Sequence, residues 1–488
     1  MKIRLLTASA LLLCSSAFLS TEAFAQMGKR FPSERKIVVD PVTGLPLTFV
    51  TSTQAGDSKI YQTHPQWTAD GKWLIFRSNR ARGQAMAVNE QTGDLIQVTE
   101  KGFMGMLCIA QKSMKLYHMR DAGAKGDMGE GPAHLEPPKS KADPKAGPAP
   151  VPASDEKIIP AGARTAPQPP RREPVGPIEI VEVNLETLFA DSLAGTLKPA
   201  SAYERVCGVL PNSLRSGGDM ALDATEEYAY FRVSGEGVGD KLPAGTKIEG
   251  NYGPRNMGKG PAGLRSINLK TGEIGFVVDV PFQIGHVQTN PWVPGEIVFC
   301  WETGGKAPQR TWVVNASDPS TLRPLYAEAS YDWVTHEAII TKDEVAIAIL
   351  GHRPIGNKDE WGECGSRDHA TGLGIVNLRT REIRIAGQTP SGSGYWHVNG
   401  SPDGRWAVGD DFNRSLYLID RHTGETIMLT TGHKTTAADH IHPTFSADST
   451  RIEIQSAMLS ADNRSMNICI VPVPESWLKR TYSDKIAQ

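Results

Sequence analysis

Much of what would place this chain quickly is scarce or missing. Cysteine is rare, at six in 488 residues. One of these, Cys14, sits in an N-terminal apolar run, leaving Cys108, Cys207, Cys300, Cys364 and Cys469 widely spaced. That pattern excludes a disulfide framework and predicts buried apolar thiols, the odd count leaving at least one free or paired with another chain. There is no charge excess either: the net charge is −2 with both signs evenly mixed. A nucleic-acid partner and a membrane-surface patch are therefore not expected. After the first residues no apolar stretch is long enough to span a bilayer. Long amphipathic helical patterns are absent, which argues against a helical solenoid. No Gly-x-Ser-x-Gly elbow occurs, and Gly258-Lys259-Gly260 lacks the strand-to-helix context of a phosphate loop.

What is present begins with an address. Lys2 and Arg4 precede an apolar run from Leu5 to Leu19, followed by Ala23-Phe24-Ala25-Gln26. This is the layout of a secretory signal peptide, residues 1–25, with cleavage expected after Ala25 and a periplasmic or secreted product. A second compositional break runs over 121–176, rich in Pro, Ala, Gly and Lys with hardly any apolar periodicity. Such a segment buries too little surface to offset its ordering entropy and reads as a disordered insertion. A Gly-rich loop, Gly235 to Gly263, is a candidate lid.

The rest repeats. A turn such as Thr68-Ala69-Asp70-Gly71 leads into an apolar strand, Trp73-Leu74-Ile75-Phe76, then a second strand, a turn at Gln91-Thr92-Gly93-Asp94 and a last strand. The grammar returns at Asn268 to Glu273, at Val376 to Glu382, and from Ser401-Pro402-Asp403-Gly404 to Asp420-Arg421-His422-Thr423-Gly424-Glu425. Four short strands per unit with such turns predict an all-β fold, a seven-bladed β-propeller. The blades are expected near 61–100, 104–198, 213–280, 286–326, 335–388, 396–431 and 441–474. The segment Val38 to Thr51 reads as half a blade that pairs with Met466 to Val471 and closes the ring.

Ligands of propellers bind on the axis, so histidines preceding blade turns are candidates for chemistry. Four blades carry one: Gly285-His286-Val287, Thr335-His336-Glu337, Trp396-His397-Val398 and His440-Ile441-His442. Residues two apart on a strand share a face, so His440 and His442 can share a metal ion. His286 with Gln288 and Asn290, and His64 with Tyr61 and Gln62, form polar clusters suited to substrate contact. Tyr395 and Trp396 beside His397 offer aromatic faces for a pyranose ring or for inter-blade packing.

From blade four onward the chain resembles the oligogalacturonate lyase family. The resemblance rests on Gly285-His286 with Pro291, Phe299-Cys300-Trp301-Glu302, Arg310-Thr311-Trp312, Thr335-His336-Glu337, His397 with Asp403-Gly404 and Val408-Gly409-Asp410, and His440-Ile441-His442-Pro443. It covers about the last 200 residues; the first half matches as blade pattern only. The resemblance implies β-elimination on oligosaccharides containing uronic acid, with His336 as Brønsted base, Arg310 stabilising developing charge, and His397, His440 and His442 holding a divalent ion, manganese in type. It also implies departures: the family's metal-binding Gln falls on Ala437, leaving water or Asp439 as fourth ligand, and its His in the Phe-Cys-His-Glu stretch is Trp301, a position expected to contact substrate. The implied chemistry is coherent, because a cation on the uronate carboxylate, a neutral imidazole and a nearby guanidinium each lower the cost of removing the C5 proton. The rival expectation is a non-catalytic envelope propeller whose histidines hold a structural ion or bind a ligand.

Overall fold

In the computed structural model the described residues are 26–81, 83–123, 176–330, 332–352, 358–359, 362–363 and 371–482. The expected signal peptide, nearly all of the 121–176 insertion and Cys364 lie outside them. Seven antiparallel sheets follow one another along the chain as the blades of a propeller, with a separate two-stranded hairpin inserted in blade five. Their innermost strands are Asp57–Lys59, Met104–Ile109, Met220–Leu222, Ile284–Thr289, Asp332–Thr341, His397–Gly400 and Thr444–Phe445.

The repeated turns have one cause. Asn89 Oδ1 accepts from the backbone N–H groups of Gln91 and Thr92, each at 3.0 Å, and Gly93 then takes φ 75°. Asn268, Asn377, Asp420 and Asp40 repeat the bond pair two and three residues on. Such Asx turns reverse the chain locally without a long loop. At 381 the left-handed position holds Arg rather than Gly, with φ 65°.

Successive residues of each central strand bury into different inter-blade spaces, as the two-residue period requires. In blade one, Leu74 and Phe76 pack with Ile468 and Ile470 of blade seven, while Trp73 and Ile75 pack with Leu107 and Leu116 of blade two. Each pair of neighbouring blades shares such an apolar cluster. This explains the unbroken apolar runs in the sequence: these strands have no solvent face.

Ring closure is as expected. Strand Pro46–Phe49 pairs with Asn467–Pro472, with Thr48 opposite Ile470, and Lys36–Val39 adds the outermost strand. A buried chain of hydrogen bonds reinforces it. The Thr430 hydroxyl donates to Asp40 Oδ2 at 2.6 Å and lies 3.0 Å from His433 Nε2, whose Nδ1 is 2.7 Å from Ser456 Oγ.

Three details differ from expectation. Arg30–Phe31 adds a fifth strand to blade one. A helix, Leu185–Ala194, interrupts blade two, whose outer strand is Glu204–Val209 and so ends beyond 198. Asn184 caps that helix through Thr187 N–H at 3.0 Å, Gly195 ends it at φ 72°, and Phe189 stacks on Trp73 with centroids 4.3 Å apart. An Asn at the start and a Gly just past the end are helix signals, here too short to stand out between strands. The Gly-rich loop docks on blade four: Gly258 O accepts from Trp301 Nε1 at 2.9 Å, and Tyr252 packs against the cluster between blades five and six.

Candidate active site and metal centre

Backbone geometry aims the histidines. His286, His336 and His442 are non-glycine residues in the left-handed region, at φ 50°, 49° and 49°. His286 and His336 lie where the inner strand slips register against its neighbour, between Gly285 and Gln288 and between Thr335 and Ala338. A bulge of this kind turns one side chain out of the alternating pattern. Holding an L-residue there costs about 1 kcal/mol, which the surrounding strands must offset.

The rings converge. His336 lies 4.3 Å from His397 and 6.2 Å from His286 between centroids; His397 lies 3.7 Å from His442 and 5.4 Å from His440. Tyr61, on the loop before the central strands of blade one, contacts His286 and His442 at 5.0 and 5.1 Å. Trp396 stands edge-on to His336 at 4.5 Å.

Two sub-centres with different electrostatics result. In the first, Asp410 joins His397 and His440: its Oδ1 accepts from the His397 backbone N–H at 2.8 Å and lies 3.3 Å from His397 Nδ1, while Oδ2 is 2.9 Å from His440 Nδ1. His442 Nε2 is 2.9 Å from Asp439 Oδ2 and its Nδ1 is 3.3 Å from Gln62 Oε1. His397 Nδ1 is buried without a hydrogen bond. Burial first, then the neighbouring His442 and His440, hold His397 well below the usual imidazole range. Imidazole nitrogens of His397 and His440 and an Asp410 oxygen within 4.8 Å of one another are a donor set suited to a divalent transition metal. His442 and Asp439 border it. Ala437 is buried against Ala457 and Met466 and offers no ligand.

In the second sub-centre Arg310, only 2% exposed, donates from Nε to Glu337 Oε2 at 3.1 Å and from Nη1 to Gly305 O at 3.3 Å, with Nη2 3.8 Å from Glu302 Oε2. His286 Nδ1 is 2.8 Å from Glu337 Oε1, and its Nε2 is 3.3 Å from Glu302 Oε2. Burial opposes the Glu337 anion, yet Arg310 and His286 outweigh it and hold the carboxyl at about 2. Burial also works against a charged His286, but Glu337 and then Glu302 raise its pKa above the ordinary value. Cys300 completes a second group of close donor atoms with His286 and Glu337. The Arg310 guanidinium within this group makes it an ion cluster, since a metal cation would face a fixed positive charge at 3.4 Å from His286 Nδ1.

His336 belongs to neither. Its Nδ1 is 3.1 Å from the Thr335 hydroxyl. Burial, then the charges of His397 and Arg310, push its pKa well below 6.5.

The other residues singled out in the sequence are placed differently. His64 Nε2 is 2.8 Å from Met220 O and Nδ1 2.8 Å from Thr63 Oγ1, so Tyr61 and Gln62, not His64, face the histidines. Gln288 bridges blades through Glu337 O and Ile339 N, and Asn290 binds Glu296 and Lys342 O. Tyr395 is fully buried, with its ring against Gly409, while its neighbour Trp396 points to the site. Trp301 is buried against Phe282 and the Gly-rich loop. These five side chains hold the blades and the loop in place. Glu337, Glu302 and Asp410 were not singled out as site residues; the signal for Glu337 was its place directly after a bulged histidine.

Two solved structures of comparable size match this arrangement of blades: an oligogalacturonate lyase in complex with manganese, and the oligogalacturonate lyase from Vibrio parahaemolyticus. Each superposes with a TM-score of 0.63 at 17% identity, over 93% of this chain and 100% of the other. The fold is that of the oligogalacturonate lyases. No protein-family model matches the chain, and no curated protein sequence does. The likeness to the oligogalacturonate lyases is one of fold, and the reading of the site rests on this chain's own side chains.

Proposed function

We propose that the protein is a metal-assisted lyase that splits uronic-acid-containing oligosaccharides, oligogalacturonate-like chains in the first instance, by β-elimination. The observation that carries this reading is His336: an axial imidazole delivered by a left-handed bulge, kept neutral by burial and cationic neighbours, facing no carboxylate among the described residues. A neutral imidazole of this kind is a competent base. In the tautomer that donates Nδ1–H to Thr335 Oγ1, 3.1 Å away, Nε2 carries the lone pair that removes the C5 proton. Arg310, locked by Glu337, sets a fixed positive charge beside the developing anion. His397 and His440, with Asp410 and with His442 or Asp439, would hold the divalent ion, manganese being the ion named for one structural neighbour. Bound there, such an ion supplies Lewis-acid charge for the uronate carboxylate. Trp396 and Tyr61 offer partly exposed rings for the sugar. Loss of the C4 substituent gives a 4,5-unsaturated uronate.

The test is ultraviolet absorbance of the conjugated product during incubation with oligouronides and manganese. A rise abolished by chelator and by His336→Ala supports the lyase. Metal bound with no rise on any uronide supports the alternative, a carbohydrate-binding propeller. Export is part of the proposal, and N-terminal sequencing of mature protein should begin at Gln26. Among the described residues no helix is long and apolar enough to cross a membrane.

A further inference from the structure

We propose that His286 is the general acid of this elimination, protonating the oxygen that leaves C4; the assignment rests on the lyase reading above. The geometry carries it. A neutral imidazole has one N–H and one lone pair, so it cannot donate to two carboxylates. His286 faces one from each nitrogen: Glu337 Oε1 at 2.8 Å from Nδ1, and Glu302 Oε2 at 3.3 Å from Nε2. Only the imidazolium satisfies both. The tight contact is on Nδ1, so the loosely held proton is that on Nε2, and the side chain retains 19% exposure through which a ligand can reach it. The adjacent blade presents His336 in the same left-handed backbone state, with the two rings 6.2 Å apart and only 21° from parallel. Two imidazoles of one type are thus set in opposite roles by their surroundings, one with two carboxylates and one with none, which is the arrangement acid–base catalysis needs.

The step balances. His336 Nε2 takes the C5 proton, the C5–H electron pair forms the C4=C5 double bond, and the C4–O4 bond breaks. O4 receives the Nε2 proton of His286. The enzyme is left with a protonated His336 and a neutral His286, and exchange of one proton through solvent restores the start. The titratable and charged groups around His286 are Glu337 and His336 of blade five, Glu302, Cys300 and Arg310 of blade four, Tyr61 just after the innermost strand of blade one, and His64 and His397 acting electrostatically, while Asp219 binds the neighbouring Val287 N–H.

The experiment compares His286→Gln with the wild type, both manganese-loaded, on a galacturonate trimer and on a uronide carrying 4-nitrophenolate at C4, which departs without a proton. The expected result is a loss of about 10²–10⁴-fold on the trimer and a loss of under about tenfold on the aryl compound. Equal losses on both, or none on the trimer, overturn the acid role. A second variant, Glu302→Gln, removes one anion from the imidazolium, so the alkaline limb of the kcat/KM profile on the trimer should move to lower pH. An unmoved limb overturns the assignment even where His286→Gln does not fold. A wild type inactive on both compounds fails the lyase reading and this inference with it; an active wild type with an unselective variant fails the inference alone.

Discussion

Replacing Glu337 by Gln keeps the shape of the side chain and removes its charge. Glu337 is fully buried and its two oxygens are shared between His286 and Arg310, at 2.8 and 3.1 Å. Its carboxyl sits at about 2 against an ordinary 4.5. A depression of that size corresponds to about 3 kcal/mol favouring the ionised folded state, the scale expected when one partner of a buried pair is removed. Because the folded pKa is the lower one, the contribution is complete above about pH 4.5 and is lost as pH falls through about 2. Urea unfolding followed by tryptophan fluorescence should show Glu337→Gln less stable by about 3 kcal/mol at neutral pH, with a smaller deficit near pH 3. Arg310→Met combined with Glu337→Gln should recover part of the loss, because the buried cation goes too. A neutral-pH deficit under about 1 kcal/mol, or one unchanged near pH 3, would refute the view that Glu337 works through its charge.

Other outcomes are expected at separate places in the fold. Burial holds His433 at about 4, below its ordinary 6.5, so the unfolded chain binds the extra proton first and stability falls by up to about 3 kcal/mol as pH drops across that window; His433→Gln should flatten this limb of Tm against pH. Arg381→Gly relieves a left-handed φ of 65° on an exposed residue and should raise the unfolding free energy by about 0.5–1 kcal/mol in the same urea assay. Trp301→Ala removes a side chain buried under the Gly-rich loop, costing about 3–5 kcal/mol and exposing residues 236–258 to limited proteolysis; an unchanged cleavage pattern would mean the loop is held elsewhere.

The blade architecture was legible because its determinants are local. Asn89, Asn268, Asn377 and Asp420 each accept from the backbone amides two and three residues on, and that short-range chemistry repeats visibly along the chain. The closing strand was legible for the same reason, through Asp40 and Gly44. The axial histidines were found by their common place before blade turns. Which neighbours face the axis with them was not legible. Tyr395 and Trp396 are adjacent and equally aromatic, and only the path of the backbone ahead of strand His397–Gly400 decides that the first is buried and the second meets His336. His64 and Tyr61 differ by the turn between them. Arg310 was found by resemblance, but its carboxylate partners come from positions 302 and 337, and no spacing rule relates those to one charge cluster.

The joint between blades one and seven has a temporal meaning. His442 meets Tyr61 and Gln62 across it, and Lys59 reaches Thr444 with its amine and Gln455 with its amide. One side of the site therefore comes from the start of the chain and the other from its end, with Thr48 waiting for Ile470. At ribosomal speeds that wait is on the order of half a minute or more. During it the blades already made can assemble on their neighbours, but the donor cluster still lacks Asp439, His440 and His442, which come just ahead of the blade-seven strands. A chain stalled just before blade seven would carry most of the fold and the Arg310–Glu337–His286 cluster but lack His440 and His442, so the histidine group is complete only when the circle is whole.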